Sequence, residues 1–472
     1  MSAPARFRRA APLLALSVAG CGASPPPRPS VLLITLDTTR VDHLSCYGYE
    51  RKTSPNLDAF AAQSVVYDRV WSTSAWTLPA HASLFTGLFP TSHHAQFDIQ
   101  AQELRAGFRA RGLAPEFVTL AELLSERGYR TAAFVGGPWL KREFGVLQGF
   151  ATIEDDVPPR TGRDGAELTD GALAWLDASP PESPVFLFVN YFDPHYPYAP
   201  PPGSKTFPGF KANVPDGWVK QALAGRKVPP KMLAALKARY DAEIHYMDEQ
   251  LGRLLSGFSA RVGSEALVIV TADHGESFGE DGFYLHNGSL GEEATRVPLV
   301  TRYPDGRGAG TRSAVLVQLT DVAAIVAHET GVVLSPAADA VLPGQREQVH
   351  LALKRNSFRV EAFGARYDRD LDAVVEWPHK LVVPSPGTPE LTRIDGGAET
   401  RLDDSALRDR LTESLLEYRA RSSPAPDAPG VELGDEALEA LRALGYLDLG
   451  ADSGADSGAD SGTGSGADPV SD

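Results

Sequence analysis

Three acidic residues close apolar, β-rich runs in this chain, and they mark the first place to look for chemistry. Asp37 follows Val31-Leu32-Leu33-Ile34-Thr35-Leu36, Asp193 stands just beyond Val185-Phe186-Leu187-Phe188-Val189, and Asp273-His274 comes shortly after Ala266-Leu267-Val268-Ile269-Val270. Short apolar runs of this kind are expected of strands buried on both faces of a parallel sheet. In open α/β sheets, ligands sit outside the carboxyl ends of the strands. Acidic groups at three such ends therefore predict a site from pattern alone. Carboxylate oxygens with an imidazole nitrogen suit one divalent cation such as Ca, Mg, Mn or Zn.

The elements that would position these residues follow from the same pattern. A weaker apolar run covers 131–135. Ser54-Pro55 reads as a cap with a proline at the first helical position, and 119–126 and 313–330 read as further helices. The clearest helix runs over about 230–258, where Met232, Leu236, Tyr240, Ile244, Met247, Leu251 and Leu254 line one face. Asp241, Glu243, Asp248 and Glu249 fall largely off that face and read as solvated helix surface. Beyond residue 345 the pattern shifts to short strands at 349–353, 358–363, 373–376 and 380–383, with a closing helix over 435–446. The fold expected is α/β: a large, mostly parallel sheet flanked by helices over 30–345, then a smaller α+β subdomain over 346–448.

Several motifs share one order along the chain. Asp37-Thr38-Thr39-Arg40 is followed by Cys46-Tyr47-Gly48, then by Thr77-Leu78-Pro79-Ala80-His81 leading to Thr86-Gly87. Phe192-Asp193-Pro194-His195-Tyr196-Pro197-Tyr198 comes next, then Asp273-His274-Gly275-Glu276 and Glu292-Glu293-Ala294-Thr295-Arg296-Val297-Pro298. Together they resemble the sulfatase family of the alkaline phosphatase superfamily, in its order and spacing over residues 30–330. In that family the position of Thr77 is a Cys or Ser oxidised to formylglycine. Threonine cannot be converted in that way, and it resembles the nucleophile of phosphate-handling relatives in the wider superfamily.

The resemblance implies roles residue by residue. Asp37, Thr38, Thr77, Asp273 and His274 match the metal-ligand positions, with Thr38 in place of a second Asp. Thr77 is the expected nucleophile. His195 and His286 match histidines that contact the transferred group or protonate the leaving group. His81 replaces an Arg that supports the nucleophile, and it joins the catalytic candidates. Arg40, Asp193 and Lys141 are candidate substrate-binding residues. A second metal held by Asp193, His195 and His286 is the alternative arrangement. Pro79 starts a helix, so Thr77 lies at its N-terminus, where the dipole favours an alkoxide and the anion it attacks. Metal coordination would lower the hydroxyl pKa. Cys46 lacks the following Pro and Arg and reads as a packed thiol.

The chain ends constrain partners. Arg6, Arg8 and Arg9 precede a short apolar stretch ending Val18-Ala19-Gly20-Cys21, which resembles a bacterial lipobox with Cys21 as the lipidated residue. Residues 1–20 then read as a lipoprotein signal peptide and 21–29 as a Pro-rich spacer. The expected location is the bacterial cell envelope, anchored by lipid alone at the outer membrane. The net charge of -16 argues against nucleic acid as a partner. Residues 449–472 repeat Ala-Asp-Ser-Gly and read as a disordered acidic tail. The function expected is ester hydrolysis on a small-molecule, glycan or lipid substrate, with phosphate mono- or diesters ahead of sulfate esters. A phospho-head-group transferase and an inactive surface-binding protein are the alternatives.

Overall fold

The run Val31–Leu36 forms the strand on which the molecule is built, with every residue buried. In the computed structural model, which describes residues 28–421 apart from 98–102, 106–107, 159–161, 181–182 and 216, together with residue 431, it lies in the middle of an eight-stranded sheet. It pairs in parallel with Val185–Tyr191 on one side and Leu267–Thr271 on the other. The full order is Thr311–Gln318, Val65–Trp71, Leu299–Arg302, Leu267–Thr271, Val31–Leu36, Val185–Tyr191, Arg130–Val135 and Thr152–Glu154. Leu299–Arg302 runs against both of its neighbours, and the other pairings are parallel. The register sets Thr35 opposite both Thr271 and Asn190, so Asp37 and Asp273 leave the sheet side by side.

The helices pack in two groups. Pro55–Ala61, Gly165–Asp177 and Pro230–Val262 contact one another, and Thr77–Thr86, Leu120–Glu126 and Asp321–Thr330 form the second set. Beyond them lies a five-stranded antiparallel sheet of Val349–Leu353, Asp370–Glu376, His379–Ser385, Glu390–Asp395 and Ala398–Arg401. The helix Ser405–Ala420 covers it, burying Leu411 and Leu415 against Leu381 and Leu391. The expected fold class is the observed one.

Three local expectations are corrected. The helix expected over 313–330 is a strand, Thr311–Gln318, followed by a shorter helix, Asp321–Thr330. The Asp321 carboxylate accepts the Gln318 N–H at 2.9 Å and separates the two. Residues Ser357–Phe363 form a helix instead of a strand, because the Asn356 side chain caps it at the Arg359 N–H. The acids on the long helix are mostly interior. Asp241 binds His43 and Arg51 at 2.6 Å and Tyr49 at 2.9 Å. Asp248 accepts the backbone N–H groups of Asn56 and Leu57, both at 2.8 Å. It thereby supplies from another helix the N-terminal acceptor that Ser54, which makes no side-chain cap, does not. The signal segment with Cys21, most of the spacer, the 435–446 helix and the acidic tail lie outside the described residues.

Asp248→Ala should leave two buried N–H donors without acceptors and cost about 1–3 kcal/mol of stability. Exposed Glu249→Ala one residue away should change stability by less than about 0.5 kcal/mol. Urea unfolding of both variants checks the contrast, and equal effects would contradict the assigned cap.

Candidate active site

The site begins where the central strand ends. The Asp37 N–H still donates to Tyr191 O at 2.8 Å, so the carboxylate is held by sheet geometry. The next residue, Thr38, has φ +51, a conformation a β-branched residue adopts only under constraint. That turn aims the Thr38 N–H at Asp273 Oδ1, 3.2 Å away, and the His274 N–H reaches the same oxygen at 2.9 Å. Asp273 Oδ1 is therefore occupied. Asp273 Oδ2, Asp37 Oδ1 and Thr38 Oγ1 are buried with no hydrogen-bond partner among the described residues. The His274 Nδ1–H donates to Gly275 O at 2.9 Å, which leaves the Nε2 lone pair facing Thr77 Oγ1 at 3.2 Å and Asp273 Oδ2 at 3.4 Å. Asp37, Asp273 and His274 bring their ligand atoms within 4.8 Å of one another, and no other group of three His, Cys, Asp or Glu does so among the described residues.

This donor set fits a divalent cation. Two orphaned carboxylate oxygens, an imidazole nitrogen and a hydroxyl are hard or borderline ligands. Burial, followed by the charge of Asp273, pushes the Asp37 carboxyl well above its usual range. Two such carboxylates need a positive charge to stay ionised together. The second-metal arrangement is not assembled: Asp193, His195 and His286 do not bring their ligand atoms together, and the Asp193 Oδ1 instead accepts the Gly165 N–H at 3.1 Å.

Thr77 is the first residue of the fully buried helix Thr77–Thr86. A β-strand conformation at Trp76 brings the chain in, and Gly87 at φ +71 lets it leave. His81, one turn on, has a part different from the catalytic one expected. Its Nδ1–H donates to Thr77 O at 2.9 Å, and its Nε2 lies 3.0 Å from Thr35 Oγ1. Thr35 Oγ1 in turn accepts from Asn190 Nδ2 at 3.1 Å, and the same amide lies 3.4 Å from Asp37 Oδ2. Burial pushes the His81 pKa down. It is held in the interior as a strut against the Thr77 backbone.

Three imidazoles follow one another from the hydroxyl: His274, which contacts it, then His286, then His195. The His286 ring centroid lies 4.6 Å from that of His274 and 5.0 Å from that of His195. His286 Nδ1 is 3.0 Å from Glu276 Oε1, and Tyr198 donates to Glu276 Oε2 at 3.0 Å. Burial pushes Glu276 up to about 8 and His286 well below its usual value. His195 stacks on Phe192 with centroids 4.2 Å apart and donates Nδ1–H to Tyr196 O at 2.5 Å. Burial lowers its pKa to about 3. Glu276 and Asn190 were absent from the sequence-based candidates, although Glu276 stands inside the quoted Asp-His-Gly-Glu motif. A polar residue ending an all-apolar strand was the available signal for Asn190.

The three expected substrate-binding residues each have partners of their own, and Arg40 Nη1 also donates to Glu276 O at 3.1 Å. The Arg40 guanidinium pairs with Asp42 at 2.8 Å and Glu280 at 2.7 Å. It lines a separate cavity of about 840 Å³ beside Glu293 and Glu399. Burial raises Asp193 to about 7. Lys141 is buried beside Asp155, where it and Arg142 offset the desolvation of that carboxylate.

The sheet is that of an α/β protein flanked by helices, and the comparisons support a hydrolase of sulfuric or phosphoric esters. The family model described as Sulfatase matches residues 29–332, and the chain belongs to that family. It is 22% identical over 405 residues to the N-acetylglucosamine-6-O-sulfatase of Bacteroides thetaiotaomicron, a match covering 66% of this chain and 70% of that protein. It is 26% identical over 346 residues to human iduronate 2-sulfatase, covering 59% of this chain and 60% of that enzyme. The phosphonate monoester hydrolase of Agrobacterium radiobacter has a similar fold, with a TM-score of 0.66, 22% identity, and coverage of 84% of this chain and 96% of that one.

The buried acids set a pH dependence for the metal-free protein. Glu276 and Glu293, both raised to about 8 by burial, and Asp193 at about 7 keep protons that the unfolded chain has released. Stability from such groups falls as pH rises. His195 acts oppositely, but its contribution is complete once pH exceeds the unfolded histidine pKa of about 6.5. Between about pH 6.5 and 8 the carboxylates therefore dominate. The melting temperature of chelator-treated protein should fall across that interval, and added divalent cation should raise it more at pH 8 than at pH 6.5. A flat profile with no metal effect would contradict the buried-acid assignment.

Proposed function

We propose that the protein is a metal-dependent ester hydrolase with Thr77 as nucleophile, acting on phosphate mono- or diesters ahead of sulfate esters. One observation carries the reading. The Thr77 hydroxyl, at a helix N-terminus, lies 3.2 Å from His274 Nε2 in a cluster with two unpartnered carboxylate oxygens. A divalent cation bound by Asp37, Asp273, His274 and the hydroxyl, with Thr38 Oγ1 in reserve, would lower the hydroxyl pKa and offset charge on the reacting group. The side chain has no route to an aldehyde, so the ester is attacked by the threonine oxygen itself.

The chain's own residues supply the rest. Thr77 gives its hydroxyl proton to solvent, and Oγ1 forms a bond to phosphorus while the bond to the leaving oxygen breaks and that oxygen takes a proton. Water then attacks the Thr77 ester, releases the acid and restores the hydroxyl. His286 is the better proton donor, because Glu276 at its Nδ1 can return a proton as Nε2 gives one up. His195, whose Nδ1–H is committed to Tyr196 O, keeps Nε2 unprotonated and suits hydrogen-bond acceptance. The Asn190–Thr35–His81 chain orients Thr77 without touching substrate. The relatives named as sugar sulfatases support a glycan ester as substrate, and sulfate esters remain the second reading on that ground. Lipid attachment at Cys21, with an envelope location, belongs to the same proposal. No helix among the described residues is long and apolar enough to cross a membrane.

Thr77→Ala should fold and lose about 10³-fold or more in kcat. Thr77→Ser should retain activity within about 10²-fold, since the nucleophile stays while the methyl that fixes its rotamer is lost. Asp273→Asn and chelation should each abolish turnover. Steady-state assays on phosphate monoesters, diesters and sulfates, with mass spectrometry of quenched reactions, check all of these. Wild-type rates in Thr77→Ala would reassign the nucleophile to water.

A further inference from the structure

We propose that Asn287 is a substrate-contacting residue that reads a hydrogen-bond donor and an acceptor together on the bound ester. The inference rests on the active site placed at Thr77. Asn287 is 4% exposed, and neither its Oδ1 nor its Nδ2 has a hydrogen-bond partner among the described residues. Burying an amide with both ends unpaired is costly and rare in folded proteins.

Its backbone is held on the site from both sides. The Asn287 N–H donates to Ala75 O at 3.1 Å, two residues before the nucleophile. The preceding His286 has its ring against His274 and its carbonyl bound by Arg359 Nη1 at 2.6 Å. Asn287 has φ +66, and Leu285 has φ +61. Two non-glycine residues in the left-handed region on either side of a site histidine make a kink that folding alone does not favour. The kink and the unpaired amide coincide on one residue next to the reacting atoms, and a bound ligand would account for both.

The chemistry of the amide narrows the ligand. Nδ2 donates to an oxygen of the transferred phosphoryl or sulfuryl group. Oδ1 can only accept, and a fully ionised oxyanion offers it nothing. A substrate with a hydroxyl or N–H next to the ester, as esters of sugars and polyols have, would pair both ends of the amide. Asn287 would favour these over aryl esters.

Simple anions and model esters suffice for the test. Inorganic phosphate and sulfate are titrated calorimetrically into manganese-loaded wild type, Asn287→Ala and Asn287→Gly. Turnover of p-nitrophenyl phosphate and of glycerol 2-phosphate is measured on the same three proteins. Oxyanion affinity should fall at least tenfold in both variants, and kcat/KM should fall further for the glycerol ester than for the aryl ester. Asn287→Gly, which adopts φ +66 freely, should keep its melting temperature, so that its loss of oxyanion affinity reports the missing amide and not a disturbed loop. Unchanged oxyanion affinity in the variants overturns the proposal, as does a wild type that binds neither anion. A wild type that binds oxyanions through Asn287 but turns over no ester would instead overturn the hydrolase reading and leave this contact standing.

Discussion

Two carboxylates are buried side by side, and much of the surrounding structure answers that constraint. Asp37 and Asp273 leave adjacent strands at one end of the sheet, and each keeps an oxygen without a partner. Taking one carboxylate out of water is unfavourable, and taking two to one point is worse. The nearby hydrogen bonds reduce that cost without removing it. Asp273 Oδ1 takes two backbone N–H groups, and Asp37 Oδ2 takes the Asn190 amide at long range. The remaining oxygens converge with His274 and Thr77, so the unmet demand of the fold and the chemistry of the site are one feature.

The neutral residues around this pair matter as much as the charged ones. His81 fills the place where the resembled family carries an arginine, and burial holds it uncharged. It therefore links Asn190 and Thr35 to the Thr77 backbone and brings no fixed positive charge. The arginine nearest in sequence to Asp37 is neutralised elsewhere by Asp42 and Glu280. The cluster of Asp37, Asp273 and His274 therefore has no fixed cationic side chain beside it from these two positions, which suits the divalent cation proposed for it.

Unusual backbone is concentrated in the same place. Among the described residues, the non-glycine positions with positive φ are Thr38, His94, Leu285 and Asn287, and Thr38, Leu285 and Asn287 lie in the segments that carry or flank Asp37 and His286. Each has a visible effect: Thr38 turns its N–H to Asp273, and Leu285 and Asn287 flank His286. A rigid sheet and a helix fixed by buried side chains hold these turns in place. The wide tolerance of surface loops does not extend to them.

Much of this was legible in the residues alone. Apolar runs ending in acids identified the strands and the ends that carry the site, because a strand buried on both faces leaves a long unbroken signal. The motif order identified Thr77, Asp37, Asp273 and His274, because ligand chemistry restricts residue types tightly. The sequence could not decide which way a polar side chain turns. Asp241, Glu243 and Asp248 look like helix surface by period and are interior, since partners such as His43, Arg51 and the Asn56 N–H come from about 200 residues away. Asp193 and Arg40 likewise take partners, Gly165 and Glu280, that their motifs do not contain. His81 became a strut, and Glu276 and Asn190 joined the network around it and His286, only once strand register and loop path set their distances. Residue type fixes what a group can do, and tertiary packing decides what it touches.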